Sequence, residues 1–386
     1  MKLTREISMP LPFGIPDVYL KIFLGVFWLG MQVVFFYGNG IVTDLEATKY
    51  IYEAQQFLQT GHYSSGKFLF YSVQIFLIAA CLKWHLSFLF IVIFQMVMNG
   101  LSAICFFKLA KKFTNLTYAY GATFFFLVFF YYHLFNTFLF TESLFFSFSI
   151  IYSWALFSTK KFTVVRALML CAFVVLLYFT RPVGLFFIPA TIVYLLIRFY
   201  SKKILLISMA AIAAAVAILF YLTNYSLASG GEFDFLLPYQ NEMIICGVSS
   251  ISDAHSIKVP VEKNSIQGLW YVITHYPDLF FRLASHRLIA FFGIYRPYYS
   301  WFHNLFACGY FLIMYAAIIA GARRLFEKYK PEVWFMWVMI LLTAATVMLS
   351  CDEWSNRFIF AVMPFLLLLA THSLHQFSSV KPIGSN

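Results

Sequence analysis

The chain has 386 residues, of which 62% are apolar, 21% aromatic and only 11% charged, with a formal net charge of +11. A soluble domain carries roughly 25% charged residues, so this balance excludes one and marks a polytopic, all-α membrane protein. The positive excess calls for no nucleic acid, because basic residues at membrane boundaries face anionic lipid.

Crossing the hydrocarbon layer takes about 17 to 25 mostly apolar residues. On that measure ten spans are predicted, at 22–38, 86–107, 118–135, 139–158, 163–180, 183–198, 204–223, 303–322, 333–350 and 358–376. The first resembles a signal anchor, but "YGNGIVTD" follows it with no small-residue cleavage site, so it is expected to stay attached. A further apolar run, 68–84, is ambiguous. Short cytoplasmic loops are enriched in Lys and Arg, and this arbitrates. If 68–84 does not cross, the clusters Lys108/Lys111/Lys112, Lys160/Lys161, Arg198/Lys202/Lys203 and Arg323/Arg324/Lys328/Lys330 share the side of Lys2, Arg5 and Lys21. The run is therefore expected to lie in the outer interface, with both termini cytoplasmic.

The same orientation puts twelve of the 16 acids outside: Asp44, Glu46, Glu53, Glu142, Glu232, Asp234, Glu242, Asp253, Glu262, Asp278, Asp352 and Glu353. Two outer segments are long, 39–85 with the interfacial helix and 224–301, within a single integral-membrane domain over 1–386. Cys81, Cys105, Cys171 and Cys308 fall in apolar runs, whereas Cys246 and Cys351 are both expected outside, where they could pair. No Cys/His metal spacing occurs, and no metal is expected. The chain also lacks a phosphate loop and a GxGxxG turn, which disfavours ATP-driven transport and a soluble nucleotide-sugar donor. No internal repeat of Gly/Pro-broken segments, which an inverted-repeat transporter often shows, is found.

Ionisable residues at membrane boundaries are costly to keep near lipid and point to function. Asp44 and Glu46 follow the first span in "TDLEATKY". Lys67 precedes the interfacial run. Glu142 opens the fourth span in "FNTFLFTESLFFSFS", Arg181 stands on the turn in "YFTRPVGLFFIPA", and Asp352, Glu353 and Arg357 occupy "CDEWSNRFIFAVMPF". A carboxylate can take a proton from an acceptor hydroxyl, and Arg can hold a lipid phosphate through a bidentate pair. An aromatic-lined groove would take the lipid tail. Each residue also has a plainer reading. Asp44 and Glu46 fit a solvated loop, Glu142 a charge favoured by the helix dipole, Arg181 a snorkelling turn residue, and Arg357 a cation neutralised by Asp352 or Glu353. His62, His255, His275 and His286 are scattered and read as surface residues.

The order of these pieces, an apolar helix, "DLEATKYIYEAQQFLQTGHYS", "KFLFYSVQIFLIAACLKW", "FFKLAKKF", "TESLFF", "TRPVGLFFIPA" and finally "RFIFAVMPFLLLLA", resembles the GT-C superfamily of polyprenyl-phosphate-dependent glycosyltransferases. It is most similar to glycosyltransferase family 39, the protein mannosyltransferases and aminoarabinose transferases. The resemblance covers the first 200 residues and the last 35 or so. It implies a sugar donor on a polyprenyl phosphate, an acceptor glycan, lipid or protein on the outer face, and inversion at the anomeric carbon. The family's first-loop acid maps to Asp44 by its place after the first span and to Glu46 by the spacing to Tyr50 and Ala54. The family's adjacent Asp-Glu pair is absent here, and its "PPLY" is replaced by "KFLFY".

The expected function is thus a membrane glycosyltransferase of the cell envelope, with Asp44 or Glu46 as base and Lys67, Glu142, Arg181, Asp352, Glu353 and Arg357 holding substrate. No cofactor beyond the lipid-linked donor is expected. The alternatives are a lipid-linked glycan polymerase or ligase, and a non-enzymatic transporter or flippase, for which Gln95 and Asn99 give only a thin polar pathway through the spans. Short loops favour a bacterial inner membrane over the endoplasmic reticulum, although "NYS" at Asn224 fits a glycosylation sequon.

Overall fold

The computed structural model describes residues 16–161, 163–199, 236–248, 265–327 and 329–378. The expected span 204–223, the Asn224 sequon and both termini lie outside them. Helix dominates, with only isolated bridges in place of strands among the described residues. Seven helices are long and apolar enough to cross a membrane, or eight if one bent pair counts as a span. The protein is an all-α polytopic integral membrane protein.

The first helix, α1 (Asp17–Asn39), starts after Pro16 and stops at Gly40, whose φ of 62° a residue with a Cβ rarely adopts. Helix α2 (Glu46–Thr60) is amphipathic and ends at left-handed Gly61. A 3₁₀ turn over Gly66–Tyr71 leads into α3 (Ser72–Lys83), which packs on α2 and on the later helix Val164–Thr180. Helix α4 (Leu89–Phe113) follows, then α5 (Leu116–Val128), whose first turn is capped by the Asn115 side chain accepting from Tyr118 N.

One predicted span is broken. Where 118–135 reads as a single helix, α5 gives way to α6 (Phe130–Leu134) and a 3₁₀ turn, Phe135–Thr137, with a bend of 61°. The following α7 (Glu142–Phe157) consequently begins three residues later than the apolar run at 139. Irregular backbone survives at membrane depth only where protein supplies its hydrogen bonds, and here three elements do so. The fully buried Gln95 donates from Nε2 to the carbonyls of Phe135, Asn136 and Phe138 at 3.4, 3.0 and 2.8 Å. Val42 pairs with the break on both sides, its N donating to Thr137 O at 3.0 Å and its carbonyl accepting from Leu139 N at 3.1 Å. Gln32 of α1 accepts from Asn136 Nδ2 at 2.9 Å. Asn99 accepts from Trp28 Nε1 at 2.9 Å and faces His133 Nδ1 at 3.0 Å. The polar side chains inside these spans are therefore engaged in holding the break.

Beyond α8 (Val164–Thr180), a second 3₁₀ turn, Pro182–Phe186, feeds α9 (Phe187–Phe199). Gly184 is required in that turn, since a Cβ there would lie 2.4 Å from the Leu177 carbonyl. The long loop expected at 224–301 holds helices of its own: the short α10 (Leu237–Gln240), α11 (Ser265–His275) and α12 (Pro277–Gly293). Helix α12 lies along α14 (Lys330–Leu349). Its Arg287, fully buried, donates to the carbonyls of Met243, Pro238 and Met348 at 2.9, 3.1 and 3.3 Å, tying the 236–248 segment to the end of α14.

The chain closes with α13 (Trp301–Ala320), α14 (Lys330–Leu349) and α15 (Arg357–Ser378). Helix α15 is the axis of the bundle, touching α4, α5, α7, α13 and α14, and 78% of its apolar window is buried against 6% for α1. One end of the bundle gathers basic side chains: Lys112 donates to Glu332 Oε1 at 2.7 Å and to the Phe157 carbonyl at the end of α7. The opposite end, where α7 and α15 begin and α8 finishes, carries the acids.

Candidate functional site

At that acidic end four distant segments converge. Glu46 opens α2, Glu142 opens α7, Arg181 follows α8, and Glu353 and Arg357 lead into α15. Each carboxylate that opens a helix is favoured by the positive end of that helix. Arg357 Nη1 donates to Glu46 Oε2 and Glu142 Oε1, both at 2.7 Å, and its Nη2 donates to Glu46 Oε1 at 2.9 Å and to Glu353 Oε1. Arg181 Nη1 donates to the same Glu142 Oε1. The Arg357 side chain is 4% exposed and that of Glu142 is fully buried, while Glu46 is 23% exposed and forms the open edge. There Lys49 Nζ stands 3.3 Å from Glu46 Oε1.

Among the described residues the charges balance: three carboxylates meet two guanidinium groups, and Lys49 offsets the remaining negative charge. A balanced set is what a dry site tolerates, because a lone buried ion costs several kcal/mol.

Both partners of the bidentate bridge follow a residue with left-handed φ: Leu45 (54°) before Glu46 and Asn356 (60°) before Arg357. Asn takes this conformation readily, but Leu does so at a cost on the order of 1–3 kcal/mol. The turn at Leu45 sends Glu46 inward and leaves Asp44 exposed. The Asp44 carboxylate makes no ion pair among the described residues, so the two acids that sequence order leaves as equal alternatives occupy different environments.

A second pair supports the first. Fully buried Arg296 donates to the Asp352 carboxylate, to the Glu353 carbonyl at 3.0 Å and to the carbonyls of Ala290 and Tyr295 at 3.2 and 3.1 Å. Asp352 thus answers to Arg296, while Glu353 faces Arg357 and accepts from Ser355 N and Oγ at 2.9 and 2.8 Å. The 350–356 loop is clamped from outside by backbone bonds, Cys246 N to Asp352 O at 2.7 Å and Asp352 N to Ile244 O at 2.8 Å, and by a Cys246–Cys351 disulfide. Lys67 makes no ion pair with these carboxylates; its ammonium lies 5.4 Å from the Phe68 ring centroid.

Sequence reasoning passes over Lys49 and Arg296. Lys49 carried a signal, being three residues after Glu46 on one helical face. Arg296 shares with Arg181 an Arg-Pro step at the end of an outer segment, and only the fold reveals its partner.

Burial raises the Glu46 carboxyl, but the hydrogen bonds and charge of Arg357 outweigh it and hold the group at about 2. Burial likewise raises Glu353, and Arg357 with Ser355 brings it below the usual carboxylate range. Burial dominates at Asp352, pushing it up to about 6 despite Arg296. A carboxyl raised by folding stabilises the native state below its unfolded value, and that stability is lost as pH rises through about 6. Glu46, which is depressed, acts with opposite sign and only as pH falls from about 4.5 through about 2. Thermal unfolding followed from about pH 4 to pH 7 is therefore expected to show the wild type losing about 2 kcal/mol relative to Asp352→Asn. Parallel profiles for the two proteins would refute this environment for Asp352.

The bundle also carries an apolar groove. Two hollows of about 540 and 570 Å³ share Val73, Phe76 and Leu176, lie between α3 and α8, and extend to Phe94 and Phe148. Phe179 lines the first, two residues before Arg181. Among the described residues no group of three or more His, Cys, Asp or Glu is arranged to hold a metal ion. No family model, no curated protein and no solved structure matches the chain.

Proposed function

We propose that the acidic end of the bundle is the catalytic face of a transferase that moves a sugar from a polyprenyl-phosphate carrier to an acceptor hydroxyl, with inversion. The observation that carries the reading is the separation of the two first-loop acids: Asp44 is exposed, whereas Glu46 is locked on Arg357. The apolar groove that reaches Phe179 would take the isoprenoid tail. Asp44 then takes the acceptor proton as the acceptor oxygen bonds to the anomeric carbon, and the carbon–oxygen bond to the lipid phosphate breaks. Glu46, held at about 2, is too weak a base for this at neutral pH and serves to position Arg357.

The phosphate contact differs from the expectation drawn from sequence. Arg181 and Arg357 already face carboxylates, and a phosphate would have to displace Glu46 to reach Arg357. Lys49, 41% exposed at the rim, is the cation that meets a phosphate first. In this reading the 66–83 segment lies along the outer interface as one wall of the groove. The Cys246–Cys351 bond, which needs an oxidising compartment, favours placing this end outside, and the basic opposite end favours a cytoplasmic position for it. A bacterial inner membrane suits both.

The test is release of radiolabelled sugar from polyprenyl-monophosphate donors by purified protein. Asp44→Asn is expected to lower release by about 10²–10⁴-fold with unchanged thermal stability, whereas Glu46→Gln lowers activity and stability together. An unaffected Asp44→Asn variant would remove Asp44 from the reaction. Release only from a lipid diphosphate would shift the assignment to a glycan polymerase, and counterflow in proteoliposomes without any covalent product to a transporter.

A further inference from the structure

The opposite, basic end holds a second groove that the proposed reaction does not use. It lies between α1, α4 and α5, has a volume of about 640 Å³, and is walled by apolar side chains and by Gly25 and Gly100. Trp28 forms its floor, seated against Gly100 and fixed by its hydrogen bond to Asn99. Lys21, Lys108 and Lys111 stand together at one end.

Three observations identify an occupant. First, the mouth is cationic: Lys21 pairs with Asp17, whose carboxylate also feels the charge of Lys111, so three lysines meet one carboxylate among the described residues. Lys108 lines the groove with its stem while its Nζ lies 4.8 Å from the ring centroid of Trp154 on α7, a contact that leaves its charge unneutralised and that it exchanges for a phosphate at the mouth. Second, the depth fits a single leaflet. From Lys111 to Gly100 the wall of α4 spans about 16 Å at a helical rise of about 1.5 Å per residue, roughly half of a 30 Å hydrocarbon core. Third, the groove is open on the α1 side, where a Cβ on Gly25 would meet nothing within 4 Å.

We infer that this groove is a binding site for an anionic phospholipid of the leaflet at the basic end, its phosphate at Lys108 and Lys111 and one acyl chain along Trp28 and Gly25. Basic pockets between membrane helices select anionic headgroups in this way. Bound there, the lipid fills the space beside α1, which packs on α5, α6 and the 3₁₀ turn at 135–137 and reaches α4 through Trp28.

Native mass spectrometry of the purified protein titrated with phosphatidylglycerol and with phosphatidylcholine of identical chains is the test. The expected result is at least tenfold tighter binding of phosphatidylglycerol. Lys108→Gln/Lys111→Gln should abolish the preference, Gly25→Leu should weaken both lipids, and Lys160→Gln/Lys161→Gln should change neither. Equal affinity for the two lipids, or a preference that survives the Lys108/Lys111 double variant, overturns the inference. So does displacement of the lipid by millimolar inorganic phosphate, which would mean a headgroup site without a chain groove. Tighter lipid binding after deletion of residues 1–15 would show that segment to be the native occupant. If the lysine variant fails to fold, salt titration of the wild type substitutes, since a preference that is insensitive to ionic strength is incompatible with a lysine-held phosphate.

Discussion

Arg357→Met is expected to lower the unfolding free energy by about 3–5 kcal/mol, the largest single-residue loss in this protein. The methionine occupies much of the same volume, so the loss is not one of packing. It arises because Glu46, Glu142 and Glu353 are left close together in a dry site where, among the described residues, Arg181 and Lys49 remain to offset them. Adding Glu46→Gln and Glu353→Gln to Arg357→Met should restore a large part of that stability, since amides carry no charge to bury. Arg357→Lys should fall between, because an ammonium cannot reproduce the two-pronged bond to Glu46. Thermal unfolding in a single lipid nanodisc composition checks the series, and a loss below about 1 kcal/mol for Arg357→Met would mean that the network is solvated rather than buried.

Loss of the Cys246–Cys351 bridge is the second large effect. The bond spans 105 residues, for which chain entropy alone gives about 4–5 kcal/mol. In a polytopic chain the unfolded state stays inserted, and its spans already hold the loop ends near one surface, so about 2–4 kcal/mol is the expected cost of Cys246→Ser/Cys351→Ser. Activity should fall with it, because the bridge and the neighbouring backbone bonds position Asp352 and Glu353. Arg287 anchors the same 236–248 segment through three carbonyls, so the double serine variant should weaken the clamp without releasing it. Alkylation in denaturant should label four cysteines without reductant and six with it. Six in both conditions would show the bond to be absent.

The membrane class and most spans were legible in the sequence because they follow from composition over windows of about 20 residues. The helices at 17–39, 89–113, 301–320, 330–349 and 357–378 lie where apolar runs put them. The break at 129–141 was not legible. "FFFLVFFYYHLFNTFLF" is apolar but for His133, Asn136 and Thr137, and what permits the chain to leave the helix is a donor from Gln95, forty residues away in sequence. The helices at 265–275 and 277–293 were missed because their mixed composition falls below any membrane window and resembles a loop.

The site divides in the same manner. That acids and arginines at 44–46, 142, 181 and 352–357 would crowd one end followed from the sequence by itself, since span order and the placement of basic clusters determine which termini share a side. Which of them touch was decided by the tertiary structure alone. Glu46 meets Arg357 across 311 residues and Arg296 meets Asp352 across 56. Pairing inside a dry site depends on distances of a few ångströms, whereas the order of spans along a chain determines position only to the scale of a membrane face.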